Sequence, residues 1–98
     1  METLRQKIER LANDYINDTE YQKGFIREKW MTKITNELDL QHLSDYELAN
    51  MWDMVWLTLE NLYTYYDEKD VKKAWKYMDT QSAFTEVVNM QARRRKGK

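Results

Sequence analysis

The near absence of proline and glycine is the feature that most constrains how this chain can fold. The 98 residues contain no proline and two glycines, Gly24 and Gly97. Because these two residue types punctuate turns and sheets, their scarcity predicts long helices joined by short links. The sequence has no Asn-Gly or Asp-Gly hairpin signal and no useful run of alternating apolar and polar residues, so it predicts no sheet.

The first two predicted helices each carry one apolar stripe. Residues 3–16 and about 19–38 place apolar side chains every third or fourth position, which is the spacing of one helix face. Asn17 or Asp18 is placed to cap the start of the second helix. Gly24 falls inside the second pattern, where it marks a kink or a close approach of two helices.

The third predicted helix, residues 45 to about 66, has the clearest start. Ser44 and Glu47 stand at the two positions of a capping box, and Leu43 and Leu48 at those of a hydrophobic staple. Its apolar residues cover an arc of about 160° at 100° per residue, which is wider than contact with one helix requires. We therefore predict an all-α fold, a compact bundle of four to five helices around this long central helix.

The last segment, residues 68–92, begins with acidic residues that favour a helix N-terminus. Its apolar stripe is formed by Val71, Ala74, Trp75 and Met78. The polar run at 79–82 leaves open whether the segment is one helix or two. We predict one helical domain over residues 1–92 and a basic tail over residues 93–98.

The far side of the third helix is partly apolar, and Glu47 in the first turn is its only charge. Interfaces are enriched in aromatic residues and Met, and their centres are poor in charge. The candidate partner-binding residues are Met54, Leu57, Thr58, Asn61 and Tyr65. Three explanations of this surface remain open: packing by neighbouring helices of the same bundle, a homodimer interface, and a site for a different protein.

Positive charge is concentrated at the C-terminus. The net charge is −1, of which the last six residues contribute +5, so residues 1–92 carry −6. Such a cluster can neutralise nucleic-acid phosphates, dock on an acidic protein patch, or only add solubility and favour the negative end of a helix. Three preceding lysines extend the cluster if they fold onto the same side. The candidate nucleic-acid-binding residues are Lys72, Lys73, Lys76, Arg93, Arg94, Arg95 and Lys96.

The sequence contains no recognisable catalytic or metal-binding motif. There is no cysteine, no glycine-rich phosphate loop, and a single histidine, His42, in the link before the third helix. We expect no catalysis, no metal and no cofactor. No apolar run approaches the roughly 18 residues that span a membrane, and the first residues lack the apolar segment of a signal peptide. Cytoplasmic location is therefore the expectation.

These observations support three hypotheses of function. The first is a non-enzymatic protein-binding module, a small accessory or inhibitor protein that acts by steric binding. The second is a nucleic-acid-binding regulator that uses the basic residues, and the third is a structural homo-oligomer joined through the third helix. The small size, the Asn-, Lys-, Tyr- and Asp-rich composition and the lack of active-site chemistry resemble the small accessory proteins of phages and other mobile elements of AT-rich bacteria. Many such proteins block host enzymes by steric binding, so this compositional resemblance implies the first hypothesis.

Overall fold

Four α-helices and one 3₁₀-helix make up the regular structure of the described chain. This computed structural model describes residues 1–21 and 26–96, and within them it contains no strand. The helices are α1 (Leu4–Ile16), α2 (Glu28–Glu37), the 3₁₀-helix (Leu40–His42), α3 (Asp45–Tyr66) and α4 (Val71–Lys96). The prediction of an all-α bundle is confirmed.

Capping boxes set the starts of α1 and α3. The Ser44 hydroxyl accepts from the backbone N–H of Glu47 at 3.1 Å, and the Glu47 carboxylate accepts from the N–H of Ser44 at 2.9 Å. Thr3 and Gln6 form the same reciprocal pair before α1. Each box supplies partners for backbone N–H groups that a helix start leaves without any. Both helices therefore begin where the sequence predicts, to within one residue.

The prediction of a helix over about 19–38 is wrong at residues 19–21 and 26–27, which are not helical, and α2 begins at Glu28. Asp18 does not cap a helix. One of its oxygens accepts from the N–H of Glu20 at 2.7 Å, closing a turn, and the other accepts from the Trp30 indole N–H at 2.7 Å. These bonds, with the Lys29 ammonium, lower the pKa of the Asp18 carboxyl to about 2. Side chains such as Asp often compete with helix formation in this way. Gly24, predicted to mark a kink or a close approach, lies outside the described residues.

The last segment forms one continuous helix of 26 residues, so α4 includes both the polar run at 79–82 and residues 93–96. Asp70 accepts from the N–H of Lys73 at its start. The helix continues through the polar run, in which the Thr80 hydroxyl donates to the Lys76 carbonyl at 2.7 Å and the Gln81 side chain donates to the Trp56 carbonyl of α3 at 2.9 Å. The predicted boundary between a domain and a basic tail therefore falls inside a helix.

The two long helices pack side by side in antiparallel directions. Asp45 pairs with Arg95 at one end, the Trp56 carbonyl accepts from Gln81 near the middle, and Tyr66 stacks on Tyr77 at the other end. α4 also packs against α1, α2 and the 3₁₀-helix, and α3 packs against α1. The core lies between this pair and the two shorter helices, and α4 shares the central position with α3.

Aromatic and hydroxyl groups join the short helices to α4. The Tyr15 ring makes edge-to-face contacts with Tyr21, Trp30 and Phe84 at centroid distances of 5.2 to 5.5 Å. The buried Tyr77 hydroxyl donates to the Asn13 side-chain oxygen on α1. Burial raises the pKa of Tyr77 to about 12, since ionisation would place a charge in the core.

We expect Tyr77→Phe to lower the free energy of unfolding by about 1 kcal/mol near neutral pH, because it removes one part-buried hydrogen bond. The substitution should also change the alkaline limb of stability. Unfolded tyrosine ionises near pH 10, whereas folded Tyr77 keeps its proton to about pH 12. The stabilisation from this group is therefore complete below pH 10 and lost as pH rises toward 12. Because phenylalanine does not ionise, Tyr77→Phe should not show this part of the loss of stability between pH 10 and 12.

Urea denaturation across the alkaline range measures both effects, with Tyr46→Phe as the matched control because Tyr46 is 77% exposed. Equal losses in the two variants would contradict the assignment of a structural role to the Tyr77 hydroxyl.

Candidate protein-binding surface

The outer face of α3 presents three large apolar side chains and no charged residue. We define it as Asn50, Met54, Leu57, Asn61 and Tyr65. These residues lie within about 80° of one another around the helix axis, and all five are exposed. Leu57 and Tyr65 are each 57% exposed and Met54 is 38% exposed. The described bundle does not cover these three side chains, so packing by neighbouring helices does not account for them.

Thr58 is not part of this face, and its prediction as a partner-binding residue is wrong. Its side chain is only 2% exposed. The buried residues of α3 include Met51, Val55 and Thr58. The centre of the buried arc therefore lies about 30° around the helix axis from Leu48, on the side of Thr58. Neighbouring helices cover that side, and Trp56 at the opposite edge of the predicted core arc is left partly exposed.

The charge of α3 is entirely acidic and lies mostly away from the outer face. Its 22 residues contain four Asp or Glu and no Lys or Arg. Asp53 and Glu60 lie about 40° or more beyond the edge of the face at Leu57. Glu47 stands at the N-terminal end of the face, where the hydrogen bonds from Ser44 lower the pKa of its carboxyl. The centre of the face carries no charge, so a partner can cover it at small desolvation cost.

Tyr65 is held in position by its neighbours although it is exposed. Its ring meets the Tyr66 ring edge-to-face at 4.8 Å, and the Lys69 ammonium lies 4.4 Å from its centroid. Tyr66 in turn stacks on the buried Tyr77 at 5.5 Å. A side chain ordered before binding loses less entropy on binding. Of the three tyrosines near the end of α3, Tyr63 and Tyr66 pack against the core, and Tyr65 faces outward.

A groove between α3 and α4 is a second apolar surface, one that sequence reasoning missed. Its volume is about 510 Å³, and Trp52 and Ala92 are among its apolar lining residues. Arg95 borders it, donating to Asp45 at 3.1 Å and to the Leu40 carbonyl at 2.9 Å. No local pattern identifies this groove, because it depends on how the two helices align.

The apolar stripe predicted for the start of α4 is mostly not in the core. Ala74 is buried, but Val71, Trp75 and Met78 are exposed. The helix is rotated so that Tyr77 and Phe84, rather than the stripe, occupy the interior. The rotation of α4 about its axis therefore follows the burial of its large aromatic rings, and not the burial of the predicted stripe.

The candidate nucleic-acid-binding residues form two separate groups. Lys72, Lys73 and Lys76 lie in the first turns of α4, and Arg93 to Lys96 lie in its last turn. Because α4 is continuous, the 17 residues from Lys76 to Arg93 separate them by about 25 Å, several times the screening length at physiological salt. The two groups therefore do not form one basic patch.

Several of these cations are engaged within the chain. Lys73 lies over the Tyr66 ring at 4.4 Å, and Arg93 pairs with Glu86 at 2.5 Å. Arg95 pairs with Asp45 as described above. The two ion pairs offset part of the positive charge of the C-terminal group, whereas Lys73 keeps its charge over the neutral ring. Nucleic-acid binding through these residues stays a prediction.

Within 1–21 and 26–96, no group of three or more His, Cys, Asp or Glu side chains could hold a metal ion, and no helix has the length and apolarity to cross a membrane. His42 contacts Asp39, and both are exposed. Comparisons with protein-family models, curated proteins and solved structures find no match. The function proposed below therefore depends on the surface of the chain itself.

The neighbours Leu57 and Thr58 allow a direct test of which side of α3 is exposed. We expect Thr58→Lys to lower the free energy of unfolding by about 3 kcal/mol or more, because it forces a charge into the core. Leu57→Lys should change it by no more than about 0.5 kcal/mol, as surface substitutions do. Urea denaturation at low protein concentration measures both, and similar losses in the two variants would contradict this orientation of α3.

Proposed function

We propose that this chain is a non-enzymatic protein-binding module whose outer face of α3 packs against a helix of another protein. The observation that carries the proposal is the row of three large exposed side chains, Met54, Leu57 and Tyr65, on an uncharged face of a well-capped helix. Their exposure leaves apolar area that a partner protein would remove from water, and burial of apolar area is the main driving force of association.

Burial of this row by a partner would supply part of the free energy of binding. Fully burying a Leu or Met side chain contributes about 1.5 to 3 kcal/mol, and Leu57 and Tyr65 each still expose more than half of their surface. Asn50 and Asn61 flank the apolar residues and can donate and accept hydrogen bonds at the rim. A few central anchors within a polar rim are the usual arrangement of binding hot spots.

The spacing of the anchors supports a helical partner element. Met54, Leu57, Asn61 and Tyr65 follow one another at intervals of three or four residues along α3, and such a ridge fits a groove on a facing helix or between two helices. Binding of this kind acts by covering the partner's surface. We therefore propose a small accessory or inhibitor protein, phage- or mobile-element-encoded and cytoplasmic, as its composition suggests.

The proposal predicts that Leu57 is needed for partner capture. Leu57→Arg should weaken capture by about tenfold or more, since it replaces a central anchor by a charge. Leu4→Arg is the matched control, because Leu4 is also a partly exposed leucine but lies on α1. Affinity capture from a lysate of the source organism, with quantitative mass spectrometry, compares the two variants with the natural protein.

The expected result is a protein retained by the natural chain and by Leu4→Arg and lost with Leu57→Arg. Equal capture by all three would place the binding site elsewhere. Capture of nothing above background by the natural chain would argue against a protein-binding role.

A further inference from the structure

We infer that the groove between α3 and α4 binds a short apolar peptide with charged ends, whose C-terminal carboxylate faces Lys96 and whose N-terminal ammonium faces Asp53. This site is separate from the outer face of α3, and its occupation does not depend on the proposed function. The shape of the groove, its apolar floor and the charge at each of its ends carry the inference.

The floor of the groove is apolar and is in place before any ligand binds. Leu48 and Val88 line it and are buried. The Trp52 ring, which also lines it, stacks almost parallel on the Trp56 ring, with a centroid distance of 5.3 Å and an angle of 7° between the planes. Because this stacking orders the ring in advance, covering it costs little conformational entropy. An apolar ligand placed against this floor removes its own apolar area from water as well.

The volume of the groove, about 510 Å³, is that of a small-ligand site. Such pockets measure about 300 to 1,000 Å³. A helix of a partner protein is at least about 10 Å wide with its side chains, and packed helices such as α3 and α4 lie only about 8 to 10 Å apart. A third helix would therefore rest on the rim of the groove, whereas an extended peptide can lie within it.

Four charged residues line the groove, and two of them are left without a partner. Arg95 donates to Asp45 at 3.1 Å, so these two charges offset each other. The side chains of Asp53 and Lys96 form no hydrogen bond or ion pair with another residue of the described chain. Lys96 follows Arg95 and lies at the Asp45 end, and Asp53 lies eight residues, or about 12 Å, further along α3. The groove therefore has one free positive end and one free negative end.

The charges around the groove leave this arrangement intact. Arg93 and Glu86 pair with each other, and Arg94 lines a different cleft, between α2 and α4. Glu60 accepts from the Gln81 side chain at 3.1 Å and lies beyond the negative end, whose sign it shares. At the positive end the start of α3 and the end of α4 lie side by side, so their opposite helix dipoles offset each other.

A short extended peptide carries both charges at the required separation. An extended chain advances about 3.3 to 3.6 Å per residue, so three or four residues place an ammonium and a carboxylate about 12 Å apart. Asn89 lines the same groove, and its amide can donate to and accept from the peptide backbone. The two charges also set the direction of the peptide, because the reverse orientation would bring like charges together at both ends.

Isothermal titration calorimetry with the probe tetrapeptide Ala-Leu-Leu-Ala tests the charge assignment, and we expect binding at millimolar peptide or below. Acetylation of its N-terminus should weaken binding to the natural chain about threefold, but should have no effect in Asp53→Asn, where the partner charge is gone. Amidation of its C-terminus should likewise weaken binding about threefold, but should have no effect in Lys96→Gln. Asp67→Asn is the matched control, since Asp67 is an exposed acid at the far end of α3, and it should behave as the natural chain does.

A second pair of variants tests where the peptide lies. Ala49 is exposed and lines the groove, so the indole of Ala49→Trp should occupy the site and weaken binding about tenfold or more. Asn50→Trp introduces the same side chain at the next residue, on the outer face of α3, and should leave binding unchanged. Both positions are exposed, so the substitutions should leave the fold intact.

Absence of binding at millimolar peptide would overturn the inference, as would equal binding of the free and the blocked peptides. Weakening by acetylation that persists in Asp53→Asn would do the same. So would binding that Ala49→Trp and Asn50→Trp affect equally, because the peptide would then lie elsewhere. None of these results decides the role of the outer face of α3, which the capture experiment with Leu57→Arg tests by itself.

Discussion

The antiparallel packing of α3 against α4 is the interaction on which the rest of the structure depends. It is fixed at both ends and near its middle: by the Asp45–Arg95 pair, by the hydrogen bond from Gln81 to the Trp56 carbonyl, and by the stacked Tyr66 and Tyr77 rings. The pair provides the surface on which α1 and α2 complete the core. It also determines which side of each long helix is left exposed.

The candidate binding surface follows from that packing rather than from any strained or reactive group. Burial of Met51, Val55 and Thr58 turns the outer face of α3 away from the bundle, and the Tyr77–Tyr66–Tyr65 contacts hold one of its aromatic anchors in place. The groove between α3 and α4 depends on the same packing, because the two helices form its walls.

Local signals predicted the parts of the fold that local chemistry controls. The capping box at Ser44 and Glu47 gave the start of α3, because both of its hydrogen bonds form within four residues of sequence. The start of α2 was mispredicted, since Asp18 bonds to Trp30, a partner 12 residues away that periodicity does not reveal. The helical spacing correctly predicted that Met54, Leu57 and Tyr65 are exposed. It wrongly placed Thr58 on the same exposed side, because Thr58 lies at the edge of the buried arc.

The sequence by itself determined that the chain is helical, where α1 and α3 begin, and that α3 carries more apolar residues than one buried stripe requires. Only the tertiary structure decided the rotation of each helix about its axis. That rotation buried Thr58, exposed Val71, Trp75 and Met78, and opened the groove beside Trp52. The physical reason is that helix periodicity and caps depend on neighbours in sequence, while rotation depends on which large side chains fill a shared core.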